Sequence, residues 1–161
     1  MEQLTIGKGF TLTCPEGFRP VTKKERDRFH MPESDDSMGL IREDDRIVAS
    51  MGWKDVGAFA GILLHVISPA ASVEASVSRD MAGYGYRKEK SLRREIGGVK
   101  AEGFRYTYTA GDNYMVGESY VTRQGRSLTF FHVYLPDELR GAGAPPLERP
   151  SGRRPASLRL S

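Results

Sequence analysis

Glu118 and His132 are the two side chains of this sequence whose chemistry conflicts most with their expected setting. Both fall between Val99 and Pro136, a run that alternates aromatic, β-branched and polar residues as consecutive strands do. The expected register puts Glu118 between Phe104 and Phe131 on an otherwise apolar face, where desolvation raises a carboxyl pKa and makes a general acid. The competing reading, preferred here, is a sheet margin open to water or a carboxylate paired with an arginine. His132 falls on the opposite face of a neighbouring strand, so the two do not make an acid and base pair. That argues against a compact catalytic centre.

A second constellation is cationic. Arg87, Lys88, Lys90, Arg93 and Arg94 follow one another closely, flanked by Tyr84 and Tyr86. Such a run could track a nucleic-acid backbone with stacked bases, but Glu89 and Glu95 dilute it, which disfavours nucleic acid. The plainest reading is an edge strand whose charges discourage pairing with other molecules. As a functional surface it suits docking of another protein.

The remaining candidates read as structure. His30, His65 and His132 are scattered and lack the HExxH spacing or a comparable metal motif. Asp35, Asp36 and the acids from Glu43 to Asp45 lack the alternating ligands and central glycine of an EF-hand loop. Gly7 to Gly9 lacks the rest of a phosphate-binding loop, and Gly83 to Gly85 follows a helix where a nucleotide motif precedes one. Cys14 has no histidine nearby in sequence to lower its pKa and reads as small core filler. No metal and no cofactor is expected.

These residues need elements to position them. Phe10 to Thr13 alternates as a strand and stops at Pro15 to Gly17, after which Phe18 restarts on the core side. Thr22 and Glu25 have capping-box spacing for a short helix, and a polar loop follows from Met31 to Gly39. Two strands, Ser37 to Asp44 and Arg46 to Trp53, are joined through Glu43 to Asp45. Phe59 to Ser68 reads as a strand buried on both faces, with a helix as the alternative. Val73, Val77 and Met81 recur at four-residue spacing, which predicts a packed helix with Ser72 at its cap. Tyr86 to Gly98 is the charged edge strand.

The meander follows, with its first hairpin closed by Ala110 to Asn113 and its second by Gln124 and Gly125. The expected register gives one face Phe104, Tyr106, Tyr108, Tyr114, Val116, Tyr120, Phe131, Val133 and Leu135. Met115, Val121, Leu128, Phe130, His132 and Tyr134 fall on the other. Apolar groups on both faces place the sheet as a middle layer, so the expected class is α+β: an antiparallel sheet with a C-terminal meander, covered by helices as an α/β/α sandwich.

Composition fits one domain. The chain has 161 residues, of which 39% are hydrophobic and 28% charged. Its formal charge of +3 is carried by five arginines from Arg140 onward, which leave the rest near −1, so the basic pI does not itself indicate nucleic acid. The expected boundaries are a domain over 1–139 and a disordered basic tail rich in Pro, Gly and Arg over 140–161. The single cysteine excludes an intramolecular disulfide and suits a reducing compartment. With no basic, apolar leader at the start, and with Val56 to Ile67 as its longest apolar run, the chain is expected to be cytoplasmic without a membrane span.

The strand that ends in Pro15, Gly17 and Phe18, the helix after two strands, and the small residues Gly98 and Ala101 before an aromatic strand resemble the PsbP-like superfamily over roughly residues 10–135. That superfamily includes extrinsic subunits of the photosynthetic water-splitting complex, a small Ran-binding import factor and many short bacterial proteins of unassigned role. The resemblance implies a sheet covered by helices and a binding or assembly role, with no catalytic residues to transfer. The expected function is a non-enzymatic adaptor that binds another protein. A small-molecule or enzyme pocket near Glu118 or His132 is the alternative.

Overall fold

Alternation in the second half of the chain builds four of the seven strands of one antiparallel sheet. The computed structural model describes residues 3–6, 10–13, 16–28, 37–42, 47–55, 68–96, 98–140 and 158–160. Its strands are β1 (Gln3–Ile6), β2 (Phe10–Thr13), β3 (Phe18–Pro20), β4 (Ser37–Arg42), β5 (Ile47–Asp55), β6 (Arg87–Ile96), β7 (Val99–Ala110), β8 (Asn113–Gln124), β9 (Ser127–Pro136) and β10 (Leu158–Leu160). The helices are α1 (Lys23–Arg28) and α2 (Pro69–Asp80), with short 3-10 turns at Ala82–Tyr84 and Asp137–Leu139. Seven strands pair in the order β3-β4-β5-β9-β8-β7-β6, and β1, β2 and β10 form a separate three-stranded sheet.

Local sequence explains the ends of the elements. The Thr22 amide donates to Glu25 Oε2 at 2.8 Å and the Glu25 amide donates to Thr22 Oγ1 at 3.3 Å, so the capping box forms as its spacing predicts. Arg19 clamps the same carboxylate through both terminal nitrogens, and its hydrogen bonds, with those from Thr22, hold the Glu25 pKa down to about 2. Helix α2 begins one turn earlier than expected. Pro69 occupies its first turn and the Ser68 carbonyl accepts from the amides of Ala71 and Ser72. Proline fits there because its missing amide has no partner in a first turn, which makes Pro69 a stronger start signal than Ser72.

Both hairpins turn through two residues. Ala110 pairs with Asn113 and Gln124 with Ser127, with Gly111 and Gly125 at φ of 60° and 59°. The second turn is therefore centred on Gly125 and Arg126, one residue later than expected. The first fixes β7 against β8 so that Tyr106 opposes Gly117 and Arg105 opposes Glu118.

That register corrects the expected faces. Phe104, Tyr106 and Tyr108 lie with His132 and Tyr134, and not with Val116, Tyr120 and Phe131. A one-residue slip moves every side chain of a strand to the other face, and aromatic residues at alternating positions fit either one. Helix α2 packs Val73, Val77 and Met81 on the Phe104, Tyr106 and Tyr108 cluster. The opposite face carries the larger apolar cluster, with Leu40, Met51, Val116, Tyr120, Phe131 and Val133 at its centre. Among the described residues, the groups packed against that cluster come from strands and from Leu139. The α+β antiparallel sheet is observed, and among the described residues α2 packs on one of its faces. The expected strand from Phe59, together with Cys14, His30, His65, the acidic loops and residues 7–9, lies outside the described residues.

Candidate interaction surface

Four of the sequence candidates are taken up by packing. Glu118 is 3% exposed and stands opposite Arg105, whose Nε donates to Oε1 at 2.6 Å and whose terminal nitrogen closes a second contact on the same oxygen. The other carboxylate oxygen accepts from the Tyr120 hydroxyl at 2.7 Å. Arg94 donates from Nε to that hydroxyl at 2.5 Å, lies over the Tyr120 ring, and brings a terminal nitrogen to 3.9 Å from Glu118. Burial, then the hydrogen bond to Glu118, pushes the Tyr120 pKa up. Glu118 is thus not at an open margin, and of its two expected neighbours Phe131 shares its face while Phe104 lies on the other. The arginine pairing is the part of the preferred reading that is observed, and Arg105 is the residue that the expected register hid.

His132 sits on the α2 side of the sheet. Its Nδ1 is 2.7 Å from the Ser119 hydroxyl, and its ring stacks on Tyr134. Tyr106 joins the network through hydrogen bonds to Ser119 and Tyr134, and its own pKa is raised, chiefly by burial. Burial lowers the His132 pKa to about 4. A serine hydroxyl beside an imidazole has the spacing of a nucleophile and its base, but Ser119 has no exposed surface to offer a substrate. The group instead satisfies polar atoms inside the sheet, as buried polar groups require. Tyr86 likewise turns inward, its ring 5.4 Å from that of Tyr106.

The other five candidates remain at the surface. Arg87, Lys88, Lys90 and Arg93 are exposed on β6, which is the terminal strand of the seven, and Tyr84 just before it is 54% exposed. Three of the acids around them are engaged. Glu74 of α2 pairs with Lys88 at 2.9 Å, and Glu89 pairs with Arg140 at 2.7 Å, whose hydrogen bond lowers the Glu89 pKa. Glu102, opposite Arg93 in register, accepts from the Ser68 hydroxyl. Arg87, Lys90 and Arg93 make no ion pair among the described residues. A register irregularity between Lys88 and Lys90 marks Glu89 as a bulge. Among the described residues there is no group of acids, histidines and cysteines that could hold a metal ion, and no helix is long and apolar enough to cross a membrane.

The fold is PsbP-like. Cyanobacterial PsbP (CyanoP) from Synechocystis sp. PCC 6803 superposes with a TM-score of 0.61 at 15% identity, covering 88% of this chain and 83% of that one. LpqN of Mycobacterium tuberculosis, described as involved in cell envelope biogenesis, superposes with a TM-score of 0.52 at 14% identity, covering 83% of this chain and 74% of its own. No family profile and no curated protein sequence matches the chain. The likeness therefore lies in the fold.

Proposed function

We propose that this chain is a non-enzymatic protein-interaction domain whose contact surface is the outer side of β6 together with Tyr84. One observation carries this reading: three exposed cations, Arg87, Lys90 and Arg93, lie along a terminal strand and make no ion pair among the described residues, while Glu74 and Glu89 beside them are taken up by Lys88 and Arg140. The other candidate chemistry is absorbed by packing. Glu118 is held by arginine and tyrosine, and His132 by Ser119, in positions that satisfy buried groups. A PsbP-like fold agrees with an accessory role. LpqN, with its part in envelope biogenesis, shows one setting in which such a fold is used.

Photo-crosslinking in the source cells tests the proposal. A crosslinkable residue at Tyr84 or Arg93 is expected to capture one protein repeatedly, and the same probe at Lys24 on α1 is not. Capture should weaken as salt is raised, because the surface is exposed and charged. Equal capture from α1 and β6, or none from β6, would reject this surface.

A further inference from the structure

Strand β6 combines two features that usually oppose one another. It offers ten residues at the end of a seven-stranded sheet, an edge that among the described residues pairs with β7 alone and that an eighth strand could extend. It also carries a row of cations and a bulge, devices that keep edges from pairing indiscriminately. We infer that together they select an occupant: an extended acidic segment of a partner protein, added as a strand along Arg87 to Arg93. This inference rests on the interaction reading above and specifies its mode.

Charge decides among the possible occupants. A second copy laid antiparallel on β6 about Lys90 would set Arg87 of one molecule against Arg93 of the other, cation opposite cation, which destabilises cross-strand pairs. An acidic strand reverses that term. From Arg87 to Arg93 the edge runs about 20 Å, at roughly 3.3 Å per residue, long enough for several carboxylates on alternate positions. The register places Arg87 and Lys90 on the Glu118 face of the sheet, and Arg93 on the α2 face. An added strand would therefore meet cations on both of its faces. A nucleic-acid strand would gain the same charges but has no peptide groups to continue the ladder.

The test uses the full chain and a peptide of about ten residues, matched to β6, in which pairs of glutamates alternate with pairs of threonines so that carboxylates fall on both faces. One control replaces glutamate by lysine. Another places proline at the threonine positions, which keeps the charge and removes donors from the ladder. A third probe is single-stranded oligothymidylate.

The glutamate-threonine peptide is expected to bind and to shift the backbone amide resonances of residues 87–93. The proline peptide and the triple variant Arg87→Glu, Lys90→Glu, Arg93→Glu should each weaken binding by about tenfold or more, a difference of roughly 1.4 kcal/mol. The variant must keep its melting temperature, as exposed substitutions generally do. Equal binding of the proline or lysine peptide, preferential binding of oligothymidylate, shifts away from β6, or dimerisation through β6 would each overturn the inference. If every peptide fails while the Arg93 crosslink still captures a protein, strand addition is wrong and the interaction surface stands.

Discussion

Arg105 and Glu118 face each other directly across β7 and β8, and the guanidinium holds a carboxylate that is only 3% exposed. Together with Arg94 and Tyr120 they form a polar joint between three strands at one end of an otherwise apolar face.

Removing one member of that joint should be worse than replacing the pair. Glu118→Gln leaves two guanidinium groups beside a neutral amide and is expected to cost about 2–4 kcal/mol, a little below fully buried pairs because both arginines are partly exposed. The double variant Arg105→Met, Glu118→Leu should lose less. Urea denaturation of the three proteins measures this, and a loss under about 0.5 kcal/mol, the range of ordinary surface changes, would show that the pair does not hold the sheet.

The His132 network predicts weakening in mild acid. The folded pKa is depressed to about 4 by burial, so between roughly pH 6.5 and pH 4 the unfolded chain binds a proton that the folded one does not. Stability contributed by the neutral ring is present above that window and is lost as pH falls through it, by roughly 3–4 kcal/mol at most. Ser119, Tyr134 and, across β5, Ser50 are the groups that face the ring. The variant His132→Asn should flatten the profile of melting temperature against pH over this range. An unchanged profile would assign the acid sensitivity to other groups.

Two glycines of the meander should resist substitution. A Cβ at Gly117 would come within 2.3 Å of the Tyr106 ring, and one at Gly103 within 2.1 Å of the Ser119 carbonyl oxygen. Gly103→Ala is expected to be the costlier change, because a backbone carbonyl cannot swing aside as a ring can. Losses of about 1–3 kcal/mol or more are typical of overpacking. Melting temperatures that do not move would mean the strands separate freely at these points.

Phe131 is 1% exposed in the central cluster, opposite Tyr120 and Met51. Phe131→Ala should cost about 3–5 kcal/mol by lost burial and the cavity left behind. A cost below about 1 kcal/mol, measured by chemical denaturation, would contradict the register.

Deleting residues 141–161 removes β10, which pairs with β2, and no strand of the seven-stranded sheet. The main unfolding transition is expected to stay within a few degrees, since a shift of roughly 2–4 °C accompanies each 1 kcal/mol in a domain of about this size. A larger fall would show that the C-terminal segment supports the sheet and would move the proposed domain boundary beyond residue 139.

The sequence alone determined the elements whose causes are local. Thr22 and Glu25 specify a capping box, the charge of β6 marks it as an edge, and Gly111 and Gly125 supply the positive φ that tight turns require. Each depends on residues close together in the chain. Faces and partners depend on register, and there the sequence was ambiguous. Tyr106 and Tyr120 are aromatic and alternate equally well in either phase, so only the pairing of Ala110 with Asn113 sent them to opposite sides of the sheet. The same pairing set Arg105 beside Glu118. An ion pair thirteen residues apart along the chain has no signature until the strands meet, because its energy comes from a burial and proximity that only the assembled sheet supplies.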